Sequence, residues 1–412
     1  MQEHAPVPQW NLKTLRELAQ INYGRDARPI LDPYGAYPVY GTAENNRFGT
    51  SYLYDGDSVV LGRKGTIDRV QFVGGPFWTI DTAYFLSKFS ECEPKWVYYV
   101  LSSMDLRSLN EATGVPSLAR EVLYRLPVLT PPPREQSKIA EVLSTVDSAI
   151  AQTEALIAKQ QRIKTGLMQD LLTRGIDAHG QLRAEATHAF KDSPIGRIPV
   201  EWEVKELRQV TTKIADRDHT TPKYVDDGVL IISPMAFFDD ESIDFACCPM
   251  ITRAAHKKNC EKTDSNAGDI ILHRIGAGLG RVRVVQDEHP EYSLLHSLAL
   301  IRPDQEVADT SFLKWSFRSS AVQDQMGLGM QSIGVPDLGL DKIGTLQFKM
   351  PNDLQEQNLI GSTLNDVQKE IDELMTSMRK LKLLKAGLMQ DLLTGKVRVT
   401  PLLQPTEAES HG

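Results

Sequence analysis

The chain has 412 residues, with 46 basic and 54 acidic side chains, a net charge of −8 and 41% hydrophobic content. That length allows two to four domains, each large enough for its own core. No apolar run reaches the roughly 18 residues of a membrane span, and no basic-then-apolar signal peptide opens the chain, so a cytoplasmic protein is expected. Cys92, Cys247, Cys248 and Cys260 show no paired CxxC spacing, which favours reduced thiols over a metal site. By segment the net charge is −1 over 1–133, +1 over 134–175, −6 over 176–351 and −2 over 352–412. No segment is a basic arm. Any nucleic-acid contact must use focused local surfaces, or a partner must supply much of the phosphate contact.

WNLKTLREL at 10–18 opens a first body that extends to residue 133. Within it, DSVVLG at 57–62, RKGT at 63–66 and IDRVQFV at 67–73 predict strand, turn and strand. GVPSL at 114–118 and the proline-marked LPVLTP at 126–131 close the body. A helical spacer follows over 134–175. Ile139, Leu143, Val146, Ile150, Thr153, Ile157, Gln160, Lys164, Leu167 and Leu171 alternate spacings of four and three, the coiled-coil signature. A helix over 135–173 would be about 58 Å long at 1.5 Å per residue. Such a rod cannot bury its seam alone.

The stretch 176–198, with Gly180, Pro194 and Gly196, reads as a linker into a second body ending at 351. WEVKELRQV at 202–210 opens that body. DIILHR at 269–274, IGAGLG at 275–280 and RVRVVQ at 281–286 again predict strand, loop and strand. GVPDL at 334–338 and LQFKMP at 346–351 close it. A second helical spacer covers 352–396, with its seam at Ile360, Leu364, Val367, Ile371, Leu374, Met378, Leu381, Lys385, Leu388 and Leu392. Residues 397–412 are expected to form a disordered tail.

The chain therefore repeats itself. Residues 135–173 align with 356–394 without a gap, with 16 of 39 positions identical, and both end in GLMQDLLT. The GVP elements match at an offset of 220, the tryptophan-containing starts at 192. A shared frame carries two divergent bodies, and the simplest partner for each rod is the other. Lys164 and Lys385 occupy one seam position, where a polar residue either fixes register or snorkels out. Gly166 and Gly387 each cost the helix about 1 kcal/mol against alanine. Their recurrence favours close approach by another backbone, though one duplicated history would also account for it.

Catalytic motifs are hard to find. IGAGLG precedes a Val- and Arg-rich strand, not the helix a phosphate-binding loop needs, so a tight turn is the better reading. There is no Walker A sequence, and no Asp/Asn-Pro-Pro-aromatic tetrapeptide of the kind amino-methyltransferases use. Glu203-Val204-Lys205 resembles the tail of a nuclease motif, but the repeat places Asn11 opposite Glu203. The histidines form no HxxxH pair, and His219, His273 and His296 read as surface or core residues. What remains is recognition chemistry. The first body offers Tyr40, Asn45, Asn46 and Arg47, then Arg63 and Lys64 at the strand turn. The second offers Lys223 and Tyr224, then His273, Arg274, Arg281 and Arg283 around the glycine loop. Arginine and lysine suit guanine edges or phosphates, and asparagine suits adenine.

This layout resembles the specificity subunit (HsdS) of type I restriction–modification enzymes over nearly the whole chain. The resemblance rests on PPPREQSKIAEVLSTVDSAI at 131–150, PNDLQEQNLIGSTLNDVQKEI at 351–371, both GLMQDLLT ends and DSPIGRIPVEWEVKEL at 192–207. YPVYGTAENN, GRKGTIDRV and PFWTIDTAYFL are similar to one target-recognition type. TPKYVDDGV, GDIILHRIGAGLGRVRVV and HSLALIRP are similar to another. The resemblance implies an α+β fold: two mixed α/β target-recognition domains separated by two long helices in an antiparallel coiled coil, with an internal pseudo-twofold repeat. It implies a non-catalytic reader of double-stranded DNA, each domain reading half of a split, asymmetric site while the helices set the spacer. The implied partners are two modification subunits carrying S-adenosylmethionine and restriction subunits using ATP and Mg. No cofactor is expected on this chain. The specificity subunit of a type II bipartite-site system and, more remotely, a coiled-coil protein scaffold are the alternatives.

Overall fold

The computed structural model describes residues 10–42, 47–110, 112–237, 241–328 and 336–403. The chain forms two compact units, one from residues 1–155 with 375–412, the other from 156–374. Two long helices run through both: α1 (Pro133–Leu171) and α2 (Leu354–Leu393). Each body thus folds with the start of its own helix and the end of the other.

The first unit is built on a four-stranded antiparallel sheet of β1 (Gln20–Tyr23), β2 (Ser58–Gly62), β3 (Val70–Val73) and β4 (Ala83–Ser87), in the order β1-β4-β2-β3. The central strands β2 and β4 are buried along their whole length, so both faces are covered. Alternation along the strand sorts the side chains. Val59 and Leu61 join the core that includes Trp96 and Val100 of the helix Pro94–Ser103, while Val60 faces a smaller core with Phe77 and Phe85.

The second unit repeats the plan with β5 (Thr211–Ala215), β6 (Ile270–His273), β7 (Val282–Val284) and β8 (Leu298–Pro303), in the order β5-β8-β6-β7. Ile270 and Leu272 face the core that holds Phe312 and Trp315, and Ile271 faces the core of Phe237 and Leu294. Each unit also has a smaller sheet with one parallel pairing, Val39 with Trp78 in the first and Leu230 with Tyr292 in the second. A two-stranded ribbon joins the start of each body to its end: Asn11–Thr14 with Pro127–Thr130, and Trp202–Glu206 with Gln347–Pro351. The two predicted strand–turn–strand segments are antiparallel pairs, as expected.

The long helices pair antiparallel. In the first unit Lys385 meets Asp147 at 2.6 Å and Lys382 meets Glu154 at 2.8 Å. In the second, Gln160 donates to Glu370 at 2.8 Å and Lys164 to Gln368 at 2.7 Å. Ile139, Leu143, Ile360 and Leu364 are fully buried because the globular cores absorb them. Leu171, Leu392, Ile157 and Ile371 are also buried, whereas Val146, Ile150, Leu167, Val367, Leu374, Met378, Leu381 and Leu388 are half-buried, as in a two-helix seam. The two seam lysines do not simply snorkel. Besides its polar partner, Lys164 lies 5.8 Å from the Trp315 ring and Lys385 5.7 Å from the Tyr99 ring.

Two expectations change, and a third finds no approaching backbone within this chain. Gly166 and Gly387 face open space, with nothing of this chain within 4 Å of where a Cβ would stand. The stretch 176–198 is no slack linker: Ile176 is buried and bridges Leu182, and Phe190–Lys191 pairs with Ile198–Pro199. Nor is the tail free from 397, since Val399 is buried and Arg398 is held by Glu135. Both changes have one cause. Glu135, near the start of α1, accepts from Trp10 Nε1 at 3.4 Å and Arg398 Nε at 2.9 Å. Glu356, near the start of α2, accepts from Trp202 Nε1 at 3.2 Å, the Ile176 amide at 3.0 Å and Arg183 Nη2 at 2.9 Å. The segment leaving each helix thus pins the beginning of the other. Gly175 (φ +62°) makes the turn after α1, where a Cβ would strike Trp202 and Glu356.

Candidate nucleic-acid interface

Both units build the predicted turn in the same way. In the first, the Arg63 amide donates to Thr82 O at 2.8 Å, the Arg63 carbonyl accepts from the Leu118 amide at 2.9 Å, and the Gly65 amide donates to Pro116 O at 2.9 Å. In the second, the Arg274 amide donates to Ser297 O at 3.0 Å, its carbonyl accepts from the Leu338 amide at 2.9 Å, and the Gly276 amide donates to Pro336 O at 2.9 Å. Pro116–Leu118 and Pro336–Leu338 are therefore backstops that hold the turn between two sheet strands. Arg63 and Arg274 are structural equivalents.

Their side chains differ. Arg63 lies at the surface, donating to the Asp81 carbonyl at 3.0 Å and stacking 5.1 Å from the half-exposed Tyr23 ring. Lys64 beside it is exposed. Tyr40 is partly buried, edge-on to Phe77 at 5.8 Å, so much of its ring belongs to the core. Arg47 starts the strand Arg47–Gly49 and is half-buried. Asn45 and Asn46 lie outside the described residues.

In the second unit Arg274 is buried, bonded to Asp216 at 3.1 Å and Asp337 at 3.0 Å. Arg283 is also buried, donating to Ser242 O and Val282 O and stacking 4.6 Å from the Phe237 ring. Arg281 donates to the Phe237 carbonyl. These three guanidiniums hold the loops together, and as they stand a DNA contact through Arg274 or Arg283 is not available; the expectation of surface arginines there is corrected. Arg274 directly follows the buried strand β6, and Arg283, on the edge strand β7, is covered by the segment carrying Phe237 and Ser242. His273 is buried too, its Nε2 bonded to the Ile275 carbonyl at 2.8 Å, and burial pushes its pKa down. Lys223 and Tyr224 stay exposed, on the smaller sheet.

The sequence did not single out a cluster beside Arg274. The His219 ring packs 4.9 Å from His296, and Asp216 sits 3.5 Å from His219. Burial, with His219 and Arg217 alongside, lowers the His296 pKa.

Nor did it show what the doubled GLMQDLLT does. In the second unit, Met168, Gln169, Leu172 and Thr173 line a groove of about 640 Å³ against Val322 and Lys349. In the first unit, their repeat equivalents Met389, Gln390, Leu393 and Thr394 line one of about 580 Å³ against Val100 and Leu129. Exposed Ile163 and Leu384 stand at matching positions on the same helices. The repeat signalled this pairing, but what each copy packs against is invisible in sequence.

Comparison with known proteins agrees with this architecture. Residues 8–162 match the family model described as Type I restriction modification DNA specificity domain. The specificity subunit of the type I restriction enzyme MjaVIII from Methanocaldococcus jannaschii is 23% identical over 362 residues, covering 85% of this chain and 79% of that protein. The crystal structure of a type I restriction–modification S subunit from M. genitalium has the same fold, with a TM-score of 0.68 at 16% identity, covering 95% of this chain and 98% of that one. A chain from a structural study of type I system assembly and conformational transition matches with a TM-score of 0.52 at 15% identity, covering 96% and 100%. No helix among the described residues is long and apolar enough to cross a membrane.

Proposed function

We propose that the chain is a specificity subunit of a type I restriction–modification system, a reading supported by the family match over residues 8–162 and by the similar curated subunits, and that it is the non-catalytic subunit that reads both halves of a bipartite, asymmetric DNA site. One observation carries the reading: two units share strand order, turn geometry and backstop while the side chains at the turn differ. A common frame with different tips suits two half-sites of different sequence, because base contacts specify while the frame only positions.

The matched grooves support two identical docking partners, the modification subunits. Equal linings from GLMQDLLT fit equal segments, and the exposed Ile163 and Leu384 offer each an apolar edge. The open faces of Gly166 and Gly387 leave room for a partner backbone to come close. S-adenosylmethionine belongs on those partners, ATP and Mg on restriction subunits. The antiparallel helices set the spacer. Methylome sequencing of host DNA with and without the chain tests the whole reading: one bipartite adenine-methylated motif should vanish when the chain is absent. An unaltered methylome would overturn it.

A further inference from the structure

The first unit carries a feature that the described residues of the second do not repeat at the equivalent positions. Five side chains from three separated segments alternate guanidinium and ring. Arg63 lies 5.1 Å from the centre of the Tyr23 ring and Arg120 4.9 Å from it; Arg120 lies 5.9 Å from Tyr124, and Arg16 4.4 Å from Tyr124. The rings are fixed from behind. Tyr124 Oη accepts from the Ile21 amide at 2.9 Å, and Tyr23 packs 5.2 Å from Tyr84, whose hydroxyl donates to the Leu118 carbonyl at 3.1 Å.

A guanidinium laid on an aromatic face is held in orientation while its N–H donors stay free at the rim. Arg16 pairs with Glu121, but among the described residues neither Arg63 nor Arg120 has a carboxylate within ion-pair distance. Tyr23 is 46% exposed, so the row reaches solvent there, while Arg120 is half-buried and its Nε has no hydrogen-bond partner among the described residues. Preoriented cations without acidic partners suit anions, and a row of them suits a chain of anions. We propose that Arg63 and Arg120, with the Glu121-paired Arg16 at the far end, form a track for the phosphate backbone of double-stranded DNA, running from the reading turn at 63–66 toward the start of the body.

Among the described residues the second unit has no such row at the equivalent positions. The repeat places Ala215, Leu340 and Gly344 at the positions of Tyr23, Arg120 and Tyr124, and Arg208, equivalent to Arg16, donates instead to the Gly344 carbonyl. The segment charges agree, −1 over 1–133 against −6 over 176–351. The sequence-independent share of binding therefore falls mainly on the first unit. This inference rests on the proposed DNA-reading function.

The test uses the chain assembled with its modification subunits and measures binding to cognate and non-cognate duplexes across salt concentrations. Arg120→Ala should weaken both equally and reduce the slope of log K against log salt by about 0.9, one counterion's worth. Arg120→Lys should restore the slope. If Arg120→Ala lowers the melting temperature, Arg120→Gln, which keeps the aliphatic stem, takes its place. An unaltered slope, or a loss confined to cognate DNA, overturns the inference while the parent complex still binds. Weakened subunit assembly, with an unaltered slope in the complex that does assemble, overturns it in favour of an acidic protein surface. A parent complex that binds no DNA overturns the proposed function as well.

Discussion

Replacing Glu356 with alanine removes the acceptor for four hydrogen bonds: from Trp202 Nε1, the Ile176 amide and both terminal nitrogens of Arg183. The Arg183 side chain is only 8% exposed, so the guanidinium left behind cannot turn to water. Breaking a buried pair in that way costs about 3–5 kcal/mol, most of it the unpaired charge. The equivalent change at Glu135 strands Arg398, whose side chain is 26% exposed and can rehydrate; about 1–2 kcal/mol is expected there. The Ile176 amide supplies a local assay, since its hydrogen bond ends on Glu356. Hydrogen exchange over 174–183 should accelerate at least a hundredfold in Glu356→Ala, as about 1.4 kcal/mol corresponds to a factor of ten. Exchange over 396–400 in Glu135→Ala should accelerate by less. Replacing Arg183 together with Glu356 should recover part of the loss, because no unpaired charge is then buried. If 174–183 stays as protected as in the parent, or if Glu135→Ala proves the more damaging, the reasoning from burial is wrong.

Arg63→Ala and Arg274→Ala should part company. The first should weaken DNA binding by about 1–3 kcal/mol in a titration with little change in melting; the second, which leaves Asp216 and Asp337 without their cation, should appear first as lost thermal stability. Equal binding defects with equal melting temperatures would refute the distinction. Four residues added to each of α1 and α2 lengthen the rods by about 6 Å, near two base-pair steps of duplex, and methylome sequencing should show a longer spacer between unaltered half-sites. An unaltered spacer would remove the helices from that role. His273 adds a pH dependence. Its carbonyl partner requires the proton on Nε2, and burial holds its pKa below the usual 6.5. The unfolded chain therefore takes up a proton first, and stability falls as pH drops from about 6.5 toward the folded value, then levels off. Urea unfolding of His273→Gln should show a smaller drop over that range; an identical drop would assign it to other groups.

Periodic features were the legible ones. Helices expected over 135–173 and 356–394 run Pro133–Leu171 and Leu354–Leu393, because the heptad pattern fixes both phase and length. The strand–turn–strand pairs were readable from β-branched runs around glycine. Contacts between distant segments were not. Nothing near Arg183 or Arg398 announces a buried carboxylate on the far helix; the available hint was that Trp10 and Trp202, like Glu135 and Glu356, recur in both copies. The second body's arginines show the same limit from the other side. Arg274 and Arg283 look like a basic loop in sequence, yet the sheet places them inside. Arg16, Tyr23 and Arg120 look unrelated in sequence and are neighbours in space.

The sequence by itself determined that there are two copies of one frame, that each carries a long helix, and that the bodies between them diverge. These are properties of spacing and repetition along the chain, and they need no knowledge of what packs on what. Only the tertiary structure decided which arginines stay at the surface and which become internal bolts, and that the doubled GLMQDLLT lines a pair of equivalent grooves. The physical reason is burial. A charged side chain takes its role from the partners and solvent around it, and these come from residues tens to hundreds of positions away.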